Sequence, residues 1–162
     1  MKITVIGAGA WGTALAKVAH ANGGEVCLWG RDAAALALLG QTGRNERYLP
    51  GVDLPHDLPT ETDLAKAVDG AGCVVLAVPS RSFREVTNRL VKFEGVAVSV
   101  TKGIEFESGL TMGGILGETM PMAKAAALSG PTLAEEVCRD MPSAAVAASE
   151  VVGASAAVQQ VF

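Results

Sequence analysis

The chain has 162 residues, 49% hydrophobic and 4% aromatic, with a formal net charge of −4. That length suits one domain with a sizeable core, filled largely by small aliphatic residues. The acidic balance, with no basic stripe interleaved with aromatics, argues against a nucleic-acid surface, and no apolar run reaches the roughly 20 residues of a membrane-spanning helix.

In chain order, strands are predicted at Lys2–Ile6, Glu25–Trp29, Cys73–Val78, Val96–Val100, Ala125–Leu128 and Ala144–Ala148. Helices are predicted at Thr13–Ala21, Ala33–Leu39, Leu64–Val68, Ser82–Val91, Met112–Glu118, Leu133–Cys138 and Ala154–Val161. Runs such as Val74-Val75-Leu76-Ala77-Val78 are apolar without alternation, as in strands buried on both faces of a parallel sheet. Alternating strands and helices then predict an α/β fold with a doubly wound, mostly parallel sheet. The segment from Thr42 to Pro59 breaks the rhythm. It is polar, rich in proline and long for a connection, which marks it as a functional loop.

Cys27, Cys73 and Cys138 are odd in number and widely spaced, and Cys27 and Cys73 fall in predicted strands. They read as core thiols of a reducing compartment. With two histidines and no CxxC or HExxH, no metal site is expected. Met1 leads straight into a strand, with no secretory leader pattern. A soluble, cytoplasmic protein is the expectation.

The first dozen residues carry the strongest motif. Gly7-Ala8-Gly9-Ala10-Trp11-Gly12 follows a buried strand and precedes a helix. In that context G-x-G-x-x-G signals a dinucleotide site. Gly7 allows the turn, Gly9 lets a pyrophosphate approach the backbone, and Gly12 permits close helix packing. The helix N-terminus then faces the phosphates. This is a Rossmann-like, NAD(H)- or NADP(H)-binding reading.

In such folds ligands sit beyond the carboxyl ends of the strands. After the second strand come Arg31 and Asp32. Asp32 stands at the spacing of a carboxylate that binds the adenosine ribose, which favours NAD(H). Alternatively Arg31 meets a 2′-phosphate or stacks on adenine, and Asp32 caps the next helix. The second reading is preferred because Gly30 occupies the usual place of the acid, and it tips the expectation towards NADP(H). Pro79 ends the third apolar strand, or lets the backbone pass the nicotinamide ribose. Lys102, after the next strand, suits an anionic or carbonyl substrate, or is a surface lysine beside a turn glycine. Ser129-Gly130-Pro131-Thr132 reads as a second turn opening a helix, with Pro131 in its first turn, for phosphate or for simple capping.

Together GAGAWGTALA, LWGRD, YLPGVDLP, VPS, TKGIE and SGPTLAEE resemble the N-terminal half of the bacterial NAD(P)-dependent glycerol-3-phosphate dehydrogenases. The resemblance covers essentially the whole chain. It implies hydride exchange between dihydroxyacetone phosphate and sn-glycerol 3-phosphate, feeding phospholipid synthesis. It assigns Ala10, Trp11, Arg31, Tyr48 and Ala134 to the cofactor, Lys102 to cofactor and substrate, and Gly130 and Thr132 to the substrate. Where relatives often carry serine, Ala10 leaves only a backbone contact. The family's acid/base lysine lies in a helical second domain, expected beyond Phe162, so this chain holds no catalytic acid/base and should be inactive alone. The complete protein is expected to be a homodimer acting on a small sugar phosphate. Other dehydrogenases of the superfamily, or a non-catalytic nucleotide sensor, are the alternatives.

Overall fold

Neighbouring residues on a strand point to opposite sides of a sheet. In runs such as Val5-Ile6 or Val74-Val75-Leu76 both directions are apolar, so the sheet needs cover on two faces. The computed structural model, which describes residues 1–162, places a seven-stranded sheet between two helical layers. The elements are β1 (Lys2–Ile6), α1 (Ala10–Ala21), β2 (Glu25–Trp29), α2 (Ala33–Thr42), β3 (Thr60–Glu61), α3 (Leu64–Val68) and β4 (Cys73–Leu76). They continue with α4 (Ser80–Asn88), β5 (Val96–Ser99), α5 (Met112–Thr119), β6 (Lys124–Ser129), α6 (Ala134–Cys138), β7 (Val146–Ala148) and α7 (Ala154–Val161).

The strand order is β3-β2-β1-β4-β5-β6-β7. All pairings are parallel except that of β7, which runs antiparallel to β6. The order reverses between β1 and β4, and that switch point opens a crevice at the carboxyl ends of the strands. The central strands β1, β2, β4 and β5 feed both cores. Ile3, Val5, Val26, Leu28, Val75 and Val98 pack with α1, α6 and α7. Ile6, Cys27, Trp29, Val74, Leu76 and Ala97 pack with α3, α4 and α5.

Several boundaries differ from the sequence expectation. β4 ends at Leu76 rather than Val78 because Pro79 is already the N-cap of α4, which starts at Ser80. β3 was not anticipated. It has two residues, and its segment accepts from the Leu28 and Gly30 N–H groups through the Pro59 and Glu61 carbonyls, at 2.8 and 3.2 Å. α6 starts at Ala134, so Pro131 lies before the helix, not in its first turn.

The segment between α2 and β3 is the largest revision. Its polar and proline residues marked it as a functional loop, with no part in the core assigned to it. Yet Leu49, Val52, Leu54 and Leu58 are all buried in the core on the α1 side. An antiparallel bridge between Arg44 and Asp53 pins its base, reinforced by an Arg44 Nε to Asp53 Oδ1 hydrogen bond of 2.8 Å.

All three cysteines are buried free thiols. Burial pushes each thiol up, and Cys73 as far as about 12. A thiolate-selective reagent at pH 8 should therefore label none of them until the chain unfolds; rapid labelling of the native protein would contradict this burial. Leu49→Ala should lower the unfolding free energy by about 2–5 kcal/mol, the usual cost of emptying a core site. A loss below about 0.5 kcal/mol in denaturant titration, the level of an ordinary surface change, would mean that the loop does not belong to the core.

Candidate functional site

The turn after β1 is shaped by what cannot fit there. Gly7 has φ +120°, and a Cβ on it would stand 2.6 Å from the Ala77 carbonyl oxygen. Its N–H donates to the Trp29 carbonyl at 2.9 Å, tying the turn to the end of β2. α1 begins at Ala10, three residues earlier than expected, so Gly12 sits inside its first turn. A Cβ on Gly12 would lie 1.8 Å from the Gly7 carbonyl oxygen.

Gly9 is different. Nothing lies within 4 Å of where its Cβ would stand, and it faces open space. As N-cap of α1 it offers no side-chain cap, whereas Asp32, Asp63 and Thr111 cap α2, α3 and α5. The first N–H groups of α1 lack intrahelical partners and open onto a cleft of about 950 Å³.

That cleft gathers the ends of β1, β2, β4 and β5 with two residues of the 43–59 loop. Gly7, Gly9, Ala10, Trp11, Arg31, Tyr48 and Lys102 all line it. So does Arg47, which the sequence reading did not single out. The charged lining groups are Arg31, Arg47 and Lys102 against Asp32 alone. The chain carries a formal −4, so this cation excess is local and favours an anionic ligand.

Asp32 is engaged on both oxygens. Oδ1 accepts from the Ala35 N–H at 3.0 Å, and Oδ2 lies 3.6 Å from Arg47 Nη1. The helix-cap reading of Asp32 therefore holds. Gly30 is buried, and a Cβ there would come within 3.1 Å of Ala8 Cβ, a tight fit that requires Ala8 to give by a few tenths of an ångström.

Asn45 was also missed. Its amide donates to the Ala8 carbonyl at 3.1 Å and to Thr13 Oγ1 at 2.8 Å. This clips the 43–59 loop onto the glycine turn and presents Arg47 and Tyr48 to the cleft. The Arg47 guanidinium stands 5.1 Å from the Tyr48 ring centre, a cation–π distance. A lone Asn in a loop has no sequence pattern that would reveal such a role.

On the far side, Thr101 Oγ1 lies 2.7 Å from the Val78 carbonyl oxygen and 3.1 Å from that of Leu76. It fastens the end of β5 to the end of β4, just before Lys102. Lys102 Nζ donates to the Gly130 carbonyl at 3.3 Å. Gly130 thus touches the margin of the cleft. A Cβ on it would stand 2.5 Å from the Ala144 carbonyl oxygen, so chain packing alone demands glycine there. Gly12 is buried and does not line the cleft. Thr132 and Ala134 do not line it, and Ala134 packs against the α1-side core.

Comparison with known proteins gives the family and the fold. Residues 2–154 match the family model of the NAD-dependent glycerol-3-phosphate dehydrogenase N-terminus. A glycerol-3-phosphate dehydrogenase [NAD(P)+] of Anaeromyxobacter dehalogenans is 41% identical over 100% of this chain and 51% of its own length. One from Chlorobium phaeobacteroides is 40% identical over 100% of this chain and 50% of its own. The crystal structure of glycerol-3-phosphate dehydrogenase from Coxiella burnetii superposes with a TM-score of 0.91 at 31% identity, covering 99% of this chain and 50% of that one. The chain spans about half the length of the curated relatives it matches.

The glycines separate by experiment. Gly12→Ala should destabilise the fold by at least about 2 kcal/mol, because backbone must move to admit the methyl group. Gly9→Ala should leave thermal unfolding unchanged and weaken dinucleotide binding, read by nicotinamide fluorescence. Equal stability losses in the two variants would refute the distinction.

Proposed function

The chain belongs to the NAD-dependent glycerol-3-phosphate dehydrogenase family, whose N-terminal part it carries, and on that premise we propose that it is the cofactor-binding half of such an enzyme. The proposed reaction interconverts dihydroxyacetone phosphate and sn-glycerol 3-phosphate with NAD(P)H, in a cytoplasmic homodimer of the complete protein. The carrying observation is the uncapped N-terminus of α1, opening onto a cleft whose cations outnumber its carboxylates.

A nicotinamide dinucleotide fits these residues. The N–H groups of Ala10 and Trp11 and the open face of Gly9 suit its diphosphate. Arg31, beside the helix-capping Asp32, suits a 2′-phosphate, so NADP(H) is favoured over NAD(H). Tyr48 covers the cleft from the clipped loop, and Ala134 is assigned a further cofactor contact. When bound, the nicotinamide supplies the hydride and takes it back.

The protein's own part is placement and charge. Lys102 presents its ammonium where a phosphate or a carbonyl oxygen gaining negative charge would lie. The N–H groups and hydroxyl of the Gly130–Thr132 turn are assigned to the substrate phosphate. The proton is assigned to a lysine of the second, helical domain, outside this chain.

Two measurements test this. Assayed alone with dihydroxyacetone phosphate and NADPH, the chain should bind the cofactor without turnover; turnover at the rate of an ordinary dehydrogenase would overturn the division of labour. Arg31→Ala should weaken NADPH by about 10- to 100-fold, the cost of losing a charged hydrogen bond, and leave NADH nearly unchanged. Equal loss for both cofactors would remove the 2′-phosphate role.

A further inference from the structure

We infer that Arg84 and Glu105 form a positioning pair that sets where the Lys102 ammonium stands, an inference that rests on reading Lys102 as a substrate-facing residue. Lys102 sits in a connection without regular secondary structure, between β5 and α5. Its own side chain has one long contact, 3.3 Å to the Gly130 carbonyl. That contact leaves the long, flexible side chain weakly held. Its position must come from the backbone on either side. Upstream, the Thr101 hydroxyl provides an anchor to Val78. Downstream, the next side chain tied to the body of the domain is Glu105.

The Glu105 contact is unusually complete. Arg84 Nε lies 2.8 Å from Oε1 and Nη2 lies 2.7 Å from Oε2, so both carboxylate oxygens are gripped by one guanidinium. Ser108 Oγ donates to Oε2 at 2.6 Å. The Glu105 side chain is 13% exposed, although its neighbours Ile104 and Phe106 are 64% and 96% exposed. The loop thus turns one acid inward and leaves apolar groups outside. A two-point grip of this kind fixes direction as well as distance.

The other end of the grip is rigid. Arg84 sits one turn into α4, whose first residue, Ser80, lines the cleft. Its remaining Nη1 donates to Glu118 of α5 at 2.7 Å. The Arg84–Glu118 contact alone would suffice to join two helices. Glu105 lies outside both helices, and what it ties to that guanidinium is the loop three residues after Lys102. Gly103, with φ +129°, gives the intervening backbone its turn, and a Cβ there would lie 3.5 Å from Ser80 Cβ. Loop and helix are therefore in contact at Gly103 and Ser80 as well as at the pair.

The pair also resists acid. Arg84 first, and Ser108 second, hold the Glu105 carboxyl down at about 2 against its usual 4.5. Its contribution is present above pH 4.5 and fades only as the pH falls towards 2. Across any neutral assay range the carboxylate stays charged.

The test uses the complete enzyme with its second half. Glu105→Gln keeps the shape and removes the charge. It should lower kcat/KM for dihydroxyacetone phosphate by at least about tenfold, as expected when a reacting group is misplaced. NADPH affinity should change little, and the variant is assayed well below its melting temperature, which loss of the ion pair lowers. Arg84→Lys, which cannot grip both oxygens, should behave alike and serves if Glu105→Gln fails to fold. The decisive readout is the double variant. Glu105→Gln added to Lys102→Ala should cost nothing further, because the pair acts through Lys102. Losses that multiply would show a merely structural role and overturn the inference. So would a folded Glu105→Gln enzyme with unchanged kcat/KM, or a Glu118→Gln enzyme impaired as much as Glu105→Gln. A Lys102→Ala enzyme with unchanged kcat/KM would overturn the reading of Lys102 itself, and the pair's role with it.

Discussion

Helix α1 approaches the end of β1 so closely that no side chain fits between them. At Gly12 the space for a Cβ is already taken by the Gly7 carbonyl oxygen. This contact fixes the direction of α1 and hence the point at which its free N–H groups emerge. It also seats Gly7 against Ala77, at the end of β4, which is the switch point of the sheet. Helix, turn and crevice are thus one geometric decision. Gly9 is the exception that makes the turn useful, because no protein atom claims the space in front of it.

Around that turn the domain gathers positive charge against its overall sign. Arg31 comes from the end of β2, Arg47 from the 43–59 loop and Lys102 from beyond β5. The lone carboxylate, Asp32, is occupied by its helix and by Arg47. Two of these cations, Arg47 and Lys102, stand on backbone that neighbouring residues tie down. Asn45 holds the loop of Arg47. Thr101 and the Arg84–Glu105 pair hold the connection of Lys102. The cleft is therefore built from backbone attachments as much as from the side chains that line it.

The fold was largely legible because its signals are local. Doubly apolar runs at Val5-Ile6 and Val74-Val75-Leu76 announce strands with cover on both faces. Asp32 announces the start of α2 through its cap. The misreadings came where local pattern and tertiary use part company. Pro79 suggested a strand end and is a helix N-cap. Leu49, Val52, Leu54 and Leu58 have neither helical nor strand spacing, and the prolines and charges among them resemble a surface loop. Only packing against α1 reveals them as core.

By itself, the sequence determined the class of sheet, the glycine turn and the kind of ligand it faces. Those depend on residues close together in the chain, where the absence of a side chain or the alternation of apolar ones acts directly on the backbone. The tertiary structure decided which distant residues share the cleft. Arg47 reaches Asp32 because Asn45 ties its loop to Ala8, and Glu105 meets Arg84 because β4 and β5 are neighbours in the sheet. It also left Thr132 and Ala134 outside the cleft. Such meetings depend on strand order and loop path, which no local pattern encodes.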